Sequence, residues 1–271
     1  MGFWKDTFNT SNFWPFHHNP NIFTVSEWQR DKDTPSIIYL IVRLIHFCAF
    51  FTILILSYTK ETDEGKHKWT IYLTNWGLIA CTAQSFLSSL MVFCTLLGVR
   101  VWESDTLVNS IQKFYSAYWV INVLATTVAF TISFVYWTLI HKPEYWSVLN
   151  FMVHGMNSIL MFIDFCIVGH PVRLLHFIYP IIFTMVYVSM TAIYYACGGT
   201  AKNGDKYIYP ILKWDHPLST LGYCVAIVIL IVVIHGGTFF MQLGKSKIAE
   251  MCFGTNVEER DEDMDAAGQM L

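Results

Sequence analysis

Charge is what this sequence has least of. Aspartate, glutamate, lysine and arginine make up 14% of the 271 residues, where about 25% is usual in soluble domains. With 54% hydrophobic residues, that shortage excludes an ordinary soluble globule and points to a multispanning membrane protein. A formal net charge of −3 supplies no basic surface, so no nucleic-acid partner is expected. The seven cysteines are odd in number and six (Cys48, Cys81, Cys94, Cys166, Cys197 and Cys224) lie in apolar runs, which argues against a disulfide framework. No G-x-S-x-G elbow occurs, which excludes an α/β-hydrolase scaffold. None of the ten histidines stands four residues from another, so a helical metal-binding pair is missing and neither metal nor cofactor is expected. A haem held by two of His46, His176 and His235 is the one cofactor alternative, and an absorbance spectrum would reveal it. The opening MGFWKDTFNTSNFWPFHHNPN is interrupted by Pro15 and Pro20, so no cleaved signal peptide is expected.

Long apolar runs are there instead. A spanning helix needs about 20 mostly apolar residues, because the hydrocarbon layer is about 30 Å thick and a helix rises about 1.5 Å per residue. Six stretches qualify: Ser36 to Tyr58, Thr70 to Gly98, Tyr118 to Ile140, Trp146 to Val168, Leu175 to Cys197 and Pro217 to Leu243. Lipid cannot hydrogen-bond a bare backbone, so each must be a full helix. The fold expected is all-α, a six-helix transmembrane bundle over residues 36–243. Residues 1–35, rich in Phe and Trp, suit an interfacial aromatic segment, and residues 244–271, which include EERDEDMD, an acidic and disordered tail. An even number of spans puts both termini on one side. Outside the spans nine Lys and Arg fall on that side and seven opposite, so the positive-inside rule leans toward cytoplasmic termini.

Polar side chains at membrane depth are costly and turn inward. In the fourth span Asn150, His154, Asn157, Met161 and Asp164 recur at helical spacing and share a stripe. That stripe either lines a site or simply bonds helices together. Asp164 lies ten residues beyond His154, too far along the axis to orient its imidazole. Arg43 enters its own helix at a similar depth from the same side, so a structural interhelical ion pair between Arg43 and Asp164 is expected. Thr74 and His154 both lie near the side opposite the termini. A threonine hydroxyl beside a neutral imidazole is the minimum needed for nucleophilic acyl transfer, and the spacing permits it.

NFMVHGMNSILMFIDFCIVGHPVRLLHFIYPIIF and YYACGGTAKNGDKYIYPILKWDHP resemble the rolling stone family of invertebrate multispanning proteins, over most of the chain from about Trp28 to Leu243. That resemblance implies a role in myoblast or cell fusion or adhesion, and a plasma-membrane rather than endoplasmic-reticulum location. More distantly the chain is similar to the androgen-induced-gene family, six-helix membrane hydrolases of fatty acid esters of hydroxy fatty acids that use a threonine and a histidine. Their threonine follows a Trp-Lys-Tyr-Leu pattern, loosely matched by Lys-Trp-Thr-Ile-Tyr-Leu-Thr ending at Thr74, and their histidine an Asn-x-x-x-His stretch, matched by Asn150 to His154. The resemblance implies a lipid-ester hydrolase with Thr74 and His154 as the catalytic pair and Asn75, Asn150 or Asn157 in support. The partners implied are the lipid bilayer and a lipid ester; oligomeric state is not implied. A non-enzymatic fusion or adhesion protein is the alternative.

Overall fold

Pro35 and Ser36 start the first spanning helix. The Ser36 hydroxyl accepts the Tyr39 N–H at 3.0 Å and caps α1, Ile37–Thr59, as a serine N-cap does. The computed structural model describes residues 2–98 and 105–253, and among them six helices are long and apolar enough to cross a membrane and no β-strand occurs. After α1 come α2 (Leu73–Leu96), α3 (Lys113–Ile140), α4 (Val148–Ile167), α5 (Leu174–Ala196) and α6 (Pro217–Phe253).

Each boundary has a local cause. Ser147 caps α4 by accepting the Asn150 N–H at 3.0 Å. Gly198, at φ +77°, ends α5 in the left-handed conformation that glycine takes without steric cost. Pro217 opens α6, where its missing N–H costs nothing. That helix runs on to Phe253, ten residues past the expected Leu243, and residues 254–271 of the expected tail lie outside the described residues.

The second helix also departs from expectation. It begins at Leu73 rather than Thr70, because Trp69–Ile71 form a separate 3-10 turn and Tyr72 is extended, at φ −93° and ψ 128°. Side chains from the helix close this break. Asn75 Nδ2 donates to the Trp69 carbonyl and Trp76 Nε1 to the Thr70 carbonyl, both at 2.6 Å. Thr74 is consequently the second residue of α2, in its first turn, and not a full turn deep.

α2 and α3 are the inner helices, and the other four pack around them. Small residues let the inner pair approach closely: a Cβ on Gly77 would come within 2.7 Å of Ile132 Cδ1. Phe50, Leu78, Cys81, Ala125, Ala129 and Met161 fill the centre. On the outside, Ile38, Ile45, Val186, Ile193, Leu218 and Val233 are bare, an apolar belt that only lipid could cover.

The aromatic N-terminal segment does not lie wholly on the membrane surface. Residues 22–27 are buried, with the Phe23 ring packed among Tyr115, Tyr118, Trp119 and His170. Backbone bonds from Glu27 N to Ile167 O (2.9 Å) and Gly169 N to Val25 O (3.2 Å) stitch it to the end of α4. Trp4, Phe8, Trp14 and Phe16 stay exposed. At this same end Lys245 of α6 donates to the carbonyls of Phe165 (2.9 Å) and Val168 (2.7 Å), so the buried part of the N-terminal segment and the last turns of α6 meet on one side of the bundle.

Candidate functional site

Helix α4 is not continuously α-helical. Residues Met152–Met156 form a π turn, and a second π turn, Tyr136–Ile140, ends the neighbouring α3. A π turn adds a residue to the helical ladder, changes the phase of the residues beyond it, and is frequent at functional sites. Here it divides the polar stripe. Asn157, Met161 and Asp164 are fully buried toward the inner helices, whereas Asn150 and His154 are half-buried at the wall of a cavity.

That cavity, of about 760 Å³, opens among the loops at the end of the bundle opposite Lys245 and the buried N-terminal segment. Thr74, Asn75, Tyr136, Asn150 and His154 line its inner wall, and Glu61, Lys142, Lys202, Asn203 and Asp205 its mouth. Lys202 Nζ forms an ion pair with Glu61 there. Beyond Thr74 lies a second, smaller chamber of about 60 Å³ walled by apolar side chains, among them Ile132, Val135, Leu212 and Ile227. Thr74, Tyr136, Ile140 and Tyr209 line both spaces. The site is therefore amphiphilic, polar at the mouth and greasy at the back, with the threonine at the junction.

Thr74 and His154 face the same cavity, and no hydrogen bond joins them. The imidazole is stacked face to face on the Tyr136 ring, and its Nδ1 is buried without a hydrogen-bond partner. Ser133 Oγ donates to the His154 carbonyl, an oxygen that the π turn releases from the regular ladder. Asn150 Nδ2 donates to the Tyr136 hydroxyl, and Asn150 Oδ1 is left unpartnered. Asn75 Nδ2 donates to the Trp69 carbonyl, and its Oδ1 accepts from Ser57 Oγ at 3.4 Å. Asn157, expected beside the imidazole, does not reach it: its Oδ1 accepts from the Ser158 N–H at 2.7 Å and lies 3.2 Å from Ser133 Oγ. The extra residue of the π turn carries Asn157 away from the cavity.

Two cavity residues gave no sequence signal, Tyr136 and Tyr209. Tyr136 sits in a run that reads as plain spanning helix, and Tyr209 comes from the loop between α5 and α6. Burial pushes the Tyr209 phenol up to about 12, while hydrogen bonding to the Thr74 side chain and backbone pulls the other way. Burial likewise raises Tyr72, whose hydroxyl accepts the Lys202 N–H at 3.1 Å.

At the opposite end of the bundle Arg43 Nη1 and Asp164 Oδ1 form a buried ion pair. Arg43 also donates to Ser88 Oγ and, at 3.0 Å, to the Tyr118 hydroxyl. Gln84 and Asn122 each donate to Asp164 Oδ2 at 3.1 Å. Side chains from α1, α2, α3 and α4 thus meet around one buried pair, the satisfaction that a buried charge requires. Neither charged group lines the cavity. Among the described residues no cluster of three or more His, Cys, Asp or Glu could hold a metal ion.

A family model described as protein rolling stone matches residues 2–254, which takes in all six helices and the whole cavity. The chain belongs to the rolling stone family. Protein rolling stone of Drosophila melanogaster is 33% identical over 231 residues, covering 82% of each chain. No solved structure matches. Membership and the six apolar helices together make this rolling stone family protein a multi-pass membrane protein.

Proposed function

We propose that this rolling stone family member hydrolyses lipid esters, with Thr74 as nucleophile and His154 as general base. The observation that carries the reading is the shared cavity: Thr74 and His154 line one space that is polar on one side of Thr74 and apolar on the other. A lipid ester has the same division. The first carbons of its acyl chain would occupy the apolar chamber and its polar portion the mouth, leaving the carbonyl beside Thr74 Oγ.

The chemistry is set by those positions. Thr74 Oγ adds to the carbonyl carbon as His154 takes its proton, and the carbonyl π pair moves onto oxygen. The tetrahedral adduct collapses, the leaving alkoxide takes the proton from His154, and an acyl-threonine remains. Water, deprotonated by the same imidazole, then releases the fatty acid and restores the hydroxyl. Tyr136 and Asn150 hold the ring in place. The gap between hydroxyl and imidazole is the sort that closes when substrate binds. In this reading both termini face the cytoplasm, the cavity mouth faces outward, and the protein resides in the plasma membrane.

The test is covalent labelling of the full-length protein in detergent by a fluorophosphonate probe. Wild type is expected to label, and Thr74→Ala and His154→Ala to lose labelling. Adducts that persist in both variants overturn the reading.

The unbridged Thr74 and His154 side chains favour a second reading, a non-enzymatic protein of cell fusion or adhesion in which the polar groups only join helices. A cell-mixing assay separates the two. Full activity of Thr74→Ala in that assay favours the non-enzymatic role, and loss of activity favours the hydrolase.

A further inference from the structure

The nucleophile proposed above needs more than a base. As Thr74 Oγ adds to the ester, negative charge gathers on the former carbonyl oxygen, and hydrogen-bond donors aimed at that point are the largest single contribution in acyl transfer. Asn157 does not line the cavity, and Asn75 and Asn150 each have an amide N–H committed elsewhere, to the Trp69 carbonyl and to the Tyr136 hydroxyl.

Tyr209 occupies the place such a donor would need. It lines the polar cavity and the apolar chamber alongside Thr74, at the junction where a carbonyl would sit. Its ring is held edge-on by Tyr72, at a centroid distance of 5.9 Å and 81° between planes, and flanked by Tyr187 at 6.5 Å. Tyr187 is itself pinned, its hydroxyl donating to the Ile71 carbonyl at 2.9 Å. The Thr74 side chain and the Leu73 and Thr74 backbone, in the first turn of α2, pull the Tyr209 phenol down against the push of burial, and the cap residue Tyr72 offers that turn no side-chain acceptor.

We propose that Tyr209 is the oxyanion donor of this site: its O–H hydrogen-bonds to the carbonyl oxygen of the lipid ester while Thr74 Oγ adds to the carbonyl carbon. The proposal rests on the hydrolase reading above. No proton leaves the phenol in this step. His154 carries the proton from Thr74 to the departing alkoxide, and Tyr209 stabilises the charge that appears in between. Because burial holds its phenol up to about 12, Tyr209 remains a donor throughout the physiological range.

The experiment measures the second-order rate of fluorophosphonate labelling, whose phosphonyl oxygen takes the oxyanion position. Tyr209→Phe in the full-length, detergent-solubilised protein is expected to slow labelling by about 10²-fold, the loss typical of removing one such donor. Tyr194→Phe, which removes a phenol that holds the same loop through the Thr200 carbonyl at 3.0 Å, is expected to stay within about twofold of wild type, because Tyr194 lines neither the cavity nor the chamber. If Tyr209→Phe labels at the wild-type rate while Thr74→Ala does not label, Tyr209 is not the donor and the nucleophile still stands. A wild type that fails to label, or labelling that survives Thr74→Ala and His154→Ala, overturns both proposals. Should Tyr209→Phe fail to fold, 3,5-difluorotyrosine at position 209 keeps the ring and lowers the phenol pKa. The alkaline fall-off in labelling rate should then move to lower pH, and an unmoved profile overturns the assignment.

Discussion

The imidazole of His154 lies flat against the ring of Tyr136, with centroids 3.6 Å apart and planes 2° from parallel. Each ring stands in its own π turn, Tyr136–Ile140 in α3 and Met152–Met156 in α4. The stack joins two irregular turns on neighbouring helices, and it fixes the ring plane of the one histidine that faces the cavity beside Thr74.

Removing the stack should therefore disturb the histidine while leaving the bundle intact. Aromatic pairs are worth about 0.5–1.5 kcal/mol beyond their buried area, so Tyr136→Leu is expected to slow fluorophosphonate labelling by up to about tenfold. Tyr136→Phe keeps the stack and removes the hydroxyl that accepts from Asn150, and it should label close to the wild-type rate. Equal losses in the two variants would transfer the role from the ring to the hydroxyl.

The ion pair at the other end makes a contrasting prediction, on stability and not on labelling. Asp164→Ala leaves the Arg43 guanidinium buried without its counter-charge, which costs about 3–5 kcal/mol. Thermal unfolding in detergent, monitored by tryptophan fluorescence, should show a markedly lower midpoint. The double variant Arg43→Met with Asp164→Leu should recover part of the loss, because no unpaired charge remains, while the Gln84 and Asn122 amides that donated to Asp164 lose their acceptor. A double variant as unstable as Asp164→Ala would mean that the pair does more than neutralise itself.

Gly169 tests how the N-terminal segment is held. A Cβ at this position would meet the Val25 carbonyl at 2.9 Å and the Ile22 carbonyl at 3.3 Å, and both are backbone atoms that cannot rotate aside. Gly169→Ala is expected to destabilise by about 1–3 kcal/mol, the usual cost of overpacking. Limited proteolysis should then cut near residues 20–28 sooner than in wild type.

His170, in the turn between α4 and α5, predicts the direction of acid sensitivity. Its ring is buried against Phe23, and its Nε2 lies 3.3 Å from the Tyr118 hydroxyl. Burial, then the nearby Lys245 cation, opposed in part by Asp164, lowers it from 6.5 to about 3. The native state keeps this histidine neutral while the unfolded chain takes up a proton. Stability is then fully present above pH 6.5 and falls as pH drops from 6.5 toward about 3, by at most about 1.4 kcal/mol per pH unit. Unfolding midpoints measured from pH 7 to pH 5 should decline less steeply in His170→Phe than in wild type.

Much of the architecture can be read in the chain alone. Apolar runs long enough to cross a bilayer must close their own hydrogen bonds, and a lone buried charge must find an opposite one. The six spans and the meeting of Arg43 with Asp164 come from those two requirements, and Thr74 and His154 stand out as polar groups near one end of their helices. Three features came only with the tertiary structure. The break at Tyr72 depends on side chains of α2 reaching back to the Trp69 and Thr70 carbonyls. The π turn in α4, held by Ser133 from α3, rotates Asn157 out of the site. Tyr209 arrives from a loop more than 130 residues along the chain from Thr74. Hydropathy and helical period describe one segment at a time. These three features depend on which segment lies beside which, and packing between helices fixes that.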